Sequence, residues 1–341
     1  MMENSSKPGV AVIGIGGLIP ASSAFLAPMS GITDVVMRRI AARYGAGLVV
    51  SEMIASDELV RGSEEARLRA EGSGVAPHVV QLAGCEPRWL AEAAQVAEGS
   101  GADIVDINMG CPAKRVVGGW AGSALMRDLD HALGLVEAVV AAVKVPVTVK
   151  MRLGWDDASR NAPELARRAV TAGAAAITVH GRTRQQFYKG QADWAAIRPV
   201  REAGDFPLVA NGDIASVEQA RACLAQSGAD FVMVGRAALG RPWLPGAIGA
   251  ELAGREPPRV GPAEIHAVAC EHYEGLVGLL GRETGVRHAR KHLAAYADEA
   301  LSAGFAPDER ARRELLTTDD PARALAALGR LFATERLGAA A

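Results

Sequence analysis

The stretch NMGCPAKR (108–115) sets Cys111 between a glycine and a proline, with Asn108 three residues before it and Lys114 and Arg115 behind it. A thiol so placed can fill a core, cycle in redox chemistry, attack an electrophile or give up a proton. Filler cysteines favour strands and helices, which suits Cys85, Cys223 and Cys270 better than Cys111. A nucleophile calls for a partner base, and no sequence feature identifies one. A general acid needs only reach and a suitable pKa. Lys114 and Arg115 favour thiolate, which opposes the acid role unless they point away. From the residues alone the question stays open. Lys150 raises a second one: it can stabilise a neighbouring anion, or form a Schiff base with Arg152 depressing its pKa. Gln81, an amide that both donates and accepts, suits the edge of a heterocyclic ring such as a flavin's.

These residues follow short apolar runs. The runs are AFLAP (24–28), GLVVSE (47–52), HVVQL (78–82), DIVDI (103–107), VPVTVKM (145–151), AAITVH (175–180), PLVAN (207–211) and DFVMVG (230–235), with Ala-rich helical stretches between. Near-continuous apolarity marks strands buried on both faces, as in parallel sheets. Eight alternations of strand and helix predict a (β/α)8 TIM barrel, with a doubly wound sheet as the alternative. A barrel places function at the C-terminal strand ends. Those ends carry Pro28 and Met29, Glu52, Gln81, Asn108 to Cys111, Lys150 and Arg152, His180 and Arg182, Asn211-Gly212-Asp213, and Gly235-Arg236. Taken singly, each could be mere solvation of a strand end. Converging on one rim, they read as a site.

Loops seven and eight, NGD (211–213) and GR (235–236), predict a phosphate site at backbone N–H groups, with Arg236 as a charged donor. The other glycine-rich stretch, GIGGLIP (14–20), lacks the following helix that a dinucleotide loop requires, and reads as a turn in an N-terminal hairpin. Ser216 with Gln219, and Asn161 with Glu164, have capping-box spacing.

Apolar residues make up 49% of the 341, enough for one large domain and a small one. The formal charge of −2 announces no nucleic-acid field but leaves room for a local patch. Four dispersed cysteines without metal-ligand spacing fit a reduced, cytoplasmic protein, and no metal is expected. MMENSSKPGV has no signal-peptide pattern and no run spans a bilayer. The predicted segments are an extension or hairpin (1–23), the barrel (24–254), a linker around REPPRVGP (255–262) and a helical segment (263–341). From residue 255 onward 12 Lys/Arg face 13 Asp/Glu, yet GRETGVRHARKH (281–292) concentrates Arg282, Arg287, Arg290 and Lys291 against Glu283. Arg287, Arg290 and Lys291 share a helix face, beside the pair His288 and His292.

Together the motifs resemble the tRNA-dihydrouridine synthase family, in its bacterial B-type branch. The matches run in order: APMSGITD (27–34), VSEM (50–53), VQLAG (80–84), DINMGCPAKRV (106–116), AGSALM (121–126), VPVTVKMRLGW (145–155), ITVHGRTRQQFYKG (177–190), ANGDI (210–214), VGRAALGRPW (234–243) and VRHARKHLAAY (286–296). The resemblance implies an FMN-binding barrel followed by a helical tRNA-binding domain. NADPH (or NADH) would reduce FMN, the flavin would give hydride to C6 of a D-loop uridine, and Cys111 would protonate C5. It implies that Pro28, Met29, Ser30, Gln81, Lys150 and His180 line the flavin. Asn211, Gly212, Asp213, Gly235 and Arg236 would hold its phosphate. Asn108 would hold the uracil, Arg152 and Arg184 would bind the substrate, and Arg287, Arg290 and Lys291 the tRNA phosphates. Ser30 stands where the family often has alanine. Nothing in the sequence demands a second copy, so a monomer is expected. Two rivals remain. A flavin barrel acting on free pyrimidines would not need the helical segment. An RNA-binding barrel without catalysis would lack flavin or proton-donor positions, and here all are present.

Overall fold

The computed structural model describes residues 13–333. Residues 1–12, which carry the MMENSSKPGV stretch, and 334–341 lie outside the described residues. Nine parallel strands follow one another: β1 (Ala24–Leu26), β2 (Val49–Val50), β3 (Ile54–Ala55), β4 (His78–Ala83), β5 (Ile104–Met109), β6 (Val147–Arg152), β7 (Ala176–His180), β8 (Leu208–Asn211) and β9 (Phe231–Val234). β1 pairs with both β2 and β9, and β2 pairs with β4, so eight strands close into a ring. That closure excludes the doubly wound alternative. β3 adds to the end of β4 at Leu82 and Ala83. It arises because the run 47–52 does not continue as one strand. Ser51 Oγ accepts the N–H of Gln81, and the Glu52 carboxylate takes the N–H of Gly31, so the chain turns between β2 and β3.

Side chains alternate across a strand, so each strand serves two cores. Leu82, Ile107, Val149, Ile177, Ala210 and Val232 face outward beneath the helices. Phe25, Val79, Ile104, Ala176, Val209 and Phe231 face inward at the N-terminal end of the ring. Ile15, 2% exposed, joins the inward cluster as a plug. It is held by a two-residue bridge to Leu18 across Gly16 and Gly17. Gly16 has φ +57°, and a Cβ there would stand 2.2 Å from Pro146 Cγ. The glycine run is thus a turn closing the barrel floor.

Cap chemistry decides where helices begin. Asp34 caps Val35–Arg43 by accepting from Val36 and Met37, and Ser216 caps Val217–Ser227 by accepting from Gln219. Asn161 does not cap as its spacing predicts. Its amide donates instead to Met126 O at 2.8 Å, and a proline opens Ala162–Thr171. Four further helices, Pro262–Leu280, Arg282–Ser302, Glu309–Thr317 and Pro321–Leu331, follow the barrel. The first begins on Pro262 itself, a residue whose fixed φ suits a helix start. One apolar cluster runs from the outer strand faces into this segment through Ile265, Tyr273, Leu293 and Leu328. Pro262–Leu280 lies on Val35–Arg43, where Gly275 makes room for Val36. Among the described residues no helix is long and apolar enough to cross a membrane.

Helices Pro262–Leu280 and Arg282–Ser302 approach closely at Gly285, where a Cβ would stand 2.6 Å from Leu276 O and Val277 Cα. Gly285→Ala therefore costs about 1–3 kcal/mol by overpacking. Gly278→Ala, whose Cβ meets nothing within 4 Å, gains roughly 0.5–1 kcal/mol. Urea denaturation midpoints at constant slope check both.

Candidate active site

The inward positions change character toward the C-terminal strand ends. Beyond the apolar floor they become Gln81, Asp106, Asn108, Thr148, Lys150, Thr178, His180 and Asn211. Asp106 is buried, its carboxylate held by Thr148 Oγ1 at 2.6 Å and Gln81 Nε2 at 2.7 Å. Burial pushes its pKa up against these two donors. Because Gln81 donates to Asp106, its Oε1 must accept, and it does so from Asn108 Nδ2 at 2.8 Å. Asn108 Oδ1 then accepts the backbone N–H groups of Gly110 (3.1 Å) and Cys111 (2.9 Å). One chain of hydrogen bonds thus runs from Asp106 to Cys111. It leaves Asn108 a single Nδ2 hydrogen to offer a ligand, and it leaves Gln81 one Nε2 hydrogen.

Lys150 lies opposite Asn108 in the register of β5 and β6. Burial, then the charge of Arg152, brings its pKa down to about 8. Its ammonium donates to Asn211 Oδ1 at 3.2 Å, and Asn211 Nδ2 is anchored on Met233 O at 2.8 Å. His180 is driven well below the usual histidine range by burial and by Lys150, Arg152, Arg182 and Arg236, so it is neutral at physiological pH. Arg182, 1% exposed, lies 3.2 Å from His180 Nε2 and grips the Asp213 carboxylate with both terminal nitrogens. Arg236 pairs with the same carboxylate at 3.1 Å. The Asp213 side chain therefore faces arginines, and what this residue can offer an anion is its backbone N–H. It holds φ +54° beside Gly212 at +125°, where a Cβ would stand 2.6 Å from Ala192 Cβ. Gly235 is open: a Cβ there would meet only Ala27 and Met29, at 3.9 and 4.0 Å.

Cys111 begins the long loop after β5. Its carbonyl accepts from Ser123 N (3.0 Å) and Ser123 Oγ (2.9 Å), folding the loop back on itself. Gly122, at φ +59°, permits that closure, since a Cβ there would stand 2.8 Å from Cys111 O. Arg115 is exposed and reaches toward Glu58 at 3.9 Å. The cations coupled electrostatically to Cys111 are Lys150 and Arg152 instead. Arg152 is buried and ties two loops together, donating to Gly110 O, Thr183 O and Phe187 O at 2.8–3.0 Å. Arg184 stacks over Trp155 at 4.9 Å.

A cysteine loop, a half-buried lysine and an amide relay ring the mouth of the barrel. The family model described as dihydrouridine synthase (Dus) matches residues 25–335. The chain belongs to the dihydrouridine synthase family. A probable tRNA-dihydrouridine synthase of Rhizobium leguminosarum bv. phaseoli is 54% identical over 303 residues, covering 89% of this chain and 93% of that one. The tRNA-dihydrouridine synthase B of Xanthomonas axonopodis pv. citri (strain 306) is 48% identical over 296 residues, covering 85% and 89%. Among solved structures, a 6-hydroxypseudooxynicotine amine oxidase from Pseudomonas geniculata N1 aligns with TM-score 0.54 and 15% identity. That alignment covers 75% of this chain and about half (52%) of the oxidase, and it speaks to the fold alone.

In this dihydrouridine synthase family member, Gln81, Asn108, Lys150, His180 and Asn211 share the inward polar layer, with Cys111 hung from it. Pro28, Met29 and Ser30 follow β1 at the same end. Arg152 and Asp213 hold protein groups. Arg287, Arg290 and Lys291 stand on the distant helix Arg282–Ser302. There Arg287 pairs with Glu283 at 2.8 Å and Arg290 with Asp319 at 2.7 Å. Only the Lys291 ammonium comes near the barrel loops, 2.9 Å from where a Gly31 Cβ would lie. Sequence reasoning missed Asp106, Thr148 and the anchoring role of Arg182. Strand parity could have found the first, since Asp106 stands two residues before Asn108 on the same face.

Below about pH 8 Lys150 is charged in both the folded and unfolded chain, and its burial opposes folding. Between about pH 8 and 10.5 the native form gives up the proton first, so stability rises with pH. The gain is about 3 kcal/mol for the cofactor-free chain. Lys150→Met removes that slope, as urea denaturation across this window reads directly.

Proposed function

We propose that the chain reduces uridines of the tRNA D-loop to 5,6-dihydrouridine, with FMN in the barrel mouth and NADPH (or NADH) as reductant. The observation that carries this reading is the hydrogen-bond chain that suspends Cys111 beside half-buried Lys150. The residues present fit a flavin. The Lys150 ammonium makes one hydrogen bond at 3.2 Å and has donors left for an anionic ring edge. Gln81 keeps one amide hydrogen for the same ring. The N–H groups around Gly212 and Gly235, with half-free Arg236, suit its phosphate. When bound and reduced, FMN supplies hydride for C6 of the uridine.

The chain's own residues account for the rest. Cys111 delivers the proton to C5, so hydride and proton together saturate the 5,6 bond. Asn108, with only a donor left, can bind a uracil carbonyl but not N3–H. Arg152 holds the loops around the pocket by tying Gly110 to Thr183 and Phe187. A stacked or paired uridine must be flipped into such a pocket. Arg287 and Lys291 meet tRNA phosphates, while Arg184 and Arg290 contribute at the edges of that surface. A cytoplasmic monomer suffices for all of this.

Purified protein incubated with NADPH and dihydrouridine-free tRNA is expected to form dihydrouridine, read by nucleoside mass spectrometry. Cys111→Ala lowers the rate by about 10²–10⁴ while flavin stays bound. Turnover of free pyrimidine, with tRNA untouched, overturns the reading. Arg287→Glu weakens tRNA binding for all sequences alike and lowers its salt slope by about one. Filter binding at several salt concentrations measures it.

A further inference from the structure

Asp34, His288 and His292 meet where the first barrel helix adjoins the helical segment. Asp34 Oδ1 is committed to the cap, accepting from Val36 and Met37 at 2.9 and 3.0 Å. Oδ2 turns to the helical segment, where its neighbours are His272 Nε2 at 3.4 Å and His292 Nε2 at 3.7 Å. Both are long for hydrogen bonds. His288 and His292 stand one turn apart on Arg282–Ser302, the i, i+4 spacing that sets two imidazoles on one helix face. The Nε2 atoms of both are buried without a hydrogen-bond partner, and His292 is only 2% exposed. Two buried imidazole nitrogens without hydrogen bonds thus lie near a carboxylate whose second oxygen makes only long contacts.

One ligand atom from each of the three residues lies within 4.8 Å of the others. We propose that Asp34, His288 and His292 bind a zinc-class divalent cation that staples the barrel to the helical segment. Two imidazoles and a carboxylate suit first-row divalent ions. Around a tetrahedral zinc with bonds of about 2.0–2.1 Å, ligand atoms sit about 3.4 Å apart, so modest side-chain rotations draw these three in. A cavity of about 630 Å³, lined by Gly31, Glu52, Arg69 and Thr284 together with Asp34 and His288, gives the ion an entry path and room for a water ligand. His272, held by Tyr296 Oη at 3.1 Å, faces the same Asp34 oxygen at 3.4 Å and orients it. Among the nearby cations, Arg69 lies 3.8 Å from the Glu52 carboxylate, Lys291 feels Glu52 first and Asp34 second, and Arg38 feels Asp34 before Glu52. The ligands are also in binding form. Burial above all keeps His288 and His292 neutral at physiological pH. Burial raises the Asp34 pKa, but hydrogen bonding to His272 and to the cap N–H of Met37 draws it below the usual carboxylate range.

The site departs from the metal-free expectation of the sequence. The histidine pair is visible there, but its third ligand comes from the opposite end of the chain. The test uses the full untagged chain with its cofactor, stripped of metal with EDTA and titrated with Co²⁺ by visible absorption and with Zn²⁺ by calorimetry. One ion per chain, a thermal midpoint raised by several degrees, and at least tenfold weaker binding in His288→Gln support the proposal. No uptake by the wild-type chain overturns it. Uptake undiminished in His288→Gln also overturns it, and puts the ion elsewhere, with His266 and Cys270 the next pair to probe. Should His288→Gln fail to fold, imidazole ¹⁵N resonances of the wild-type chain decide. Zn²⁺-induced shifts at His288 and His292 uphold the site, and their absence sinks it.

Discussion

A carboxylate with almost no contact with solvent lies at the root of this site. Asp106 accepts from Thr148 and Gln81, and a buried acceptor of that kind leaves its partners no freedom to flip. The Gln81 amide is thereby polarised in one sense, Asn108 follows, and the Asn108 oxygen gathers the two N–H groups that begin the cysteine loop. Each member is weak alone, at about 1 kcal/mol net. In series they convert a buried charge on β5 into the position of a thiol on the loop that follows it.

The barrel makes this possible by dividing its interior by depth. Apolar side chains and Ile15 fill the floor, so no solvent reaches the polar layer from below. Above it, each strand places its next inward residue at a height set by the register. Lys150, Asn108 and Asn211 converge there although they come from different strands. The arginines do a different job from the lysine. Arg152 and Arg182 are buried and use their planar forks to knit loops together, a task to which a guanidinium is better suited than an ammonium.

Much of this was legible in the sequence, for a physical reason. Strands covered on both faces read as continuous apolar runs, so the ring could be counted, and polar residues just past each run marked the rim. The remainder depended on pairs far apart in the chain. The break between β2 and β3 is made by Gln81 and Gly31 acting on Ser51 and Glu52. Asp106 sits inside an apolar run and looks like strand until its neighbours are known. The family resemblance pointed Arg152, Asp213 and Arg290 at ligands; in the structure their side chains also pair with groups elsewhere in the chain, which the sequence does not reveal. Asn161 had the spacing of a cap and was drawn away by a carbonyl on another loop. The family resemblance identified which rim residues converge. It did not indicate what holds them.

The pairing of β1 with β9 joins Ala24–Leu26 to Phe231–Val234, almost the whole barrel apart in sequence. On the ribosome, β1 therefore waits with an open edge until β9 has emerged. The helical segment must wait longer still, because it follows β9 while its seat, Val35–Arg43, is made well before it. Synthesis of this chain is thus a long interval of exposed strand edges that ends in two late docking events. The contacts that hold its two parts together can form only after the strand that closes the ring has been made.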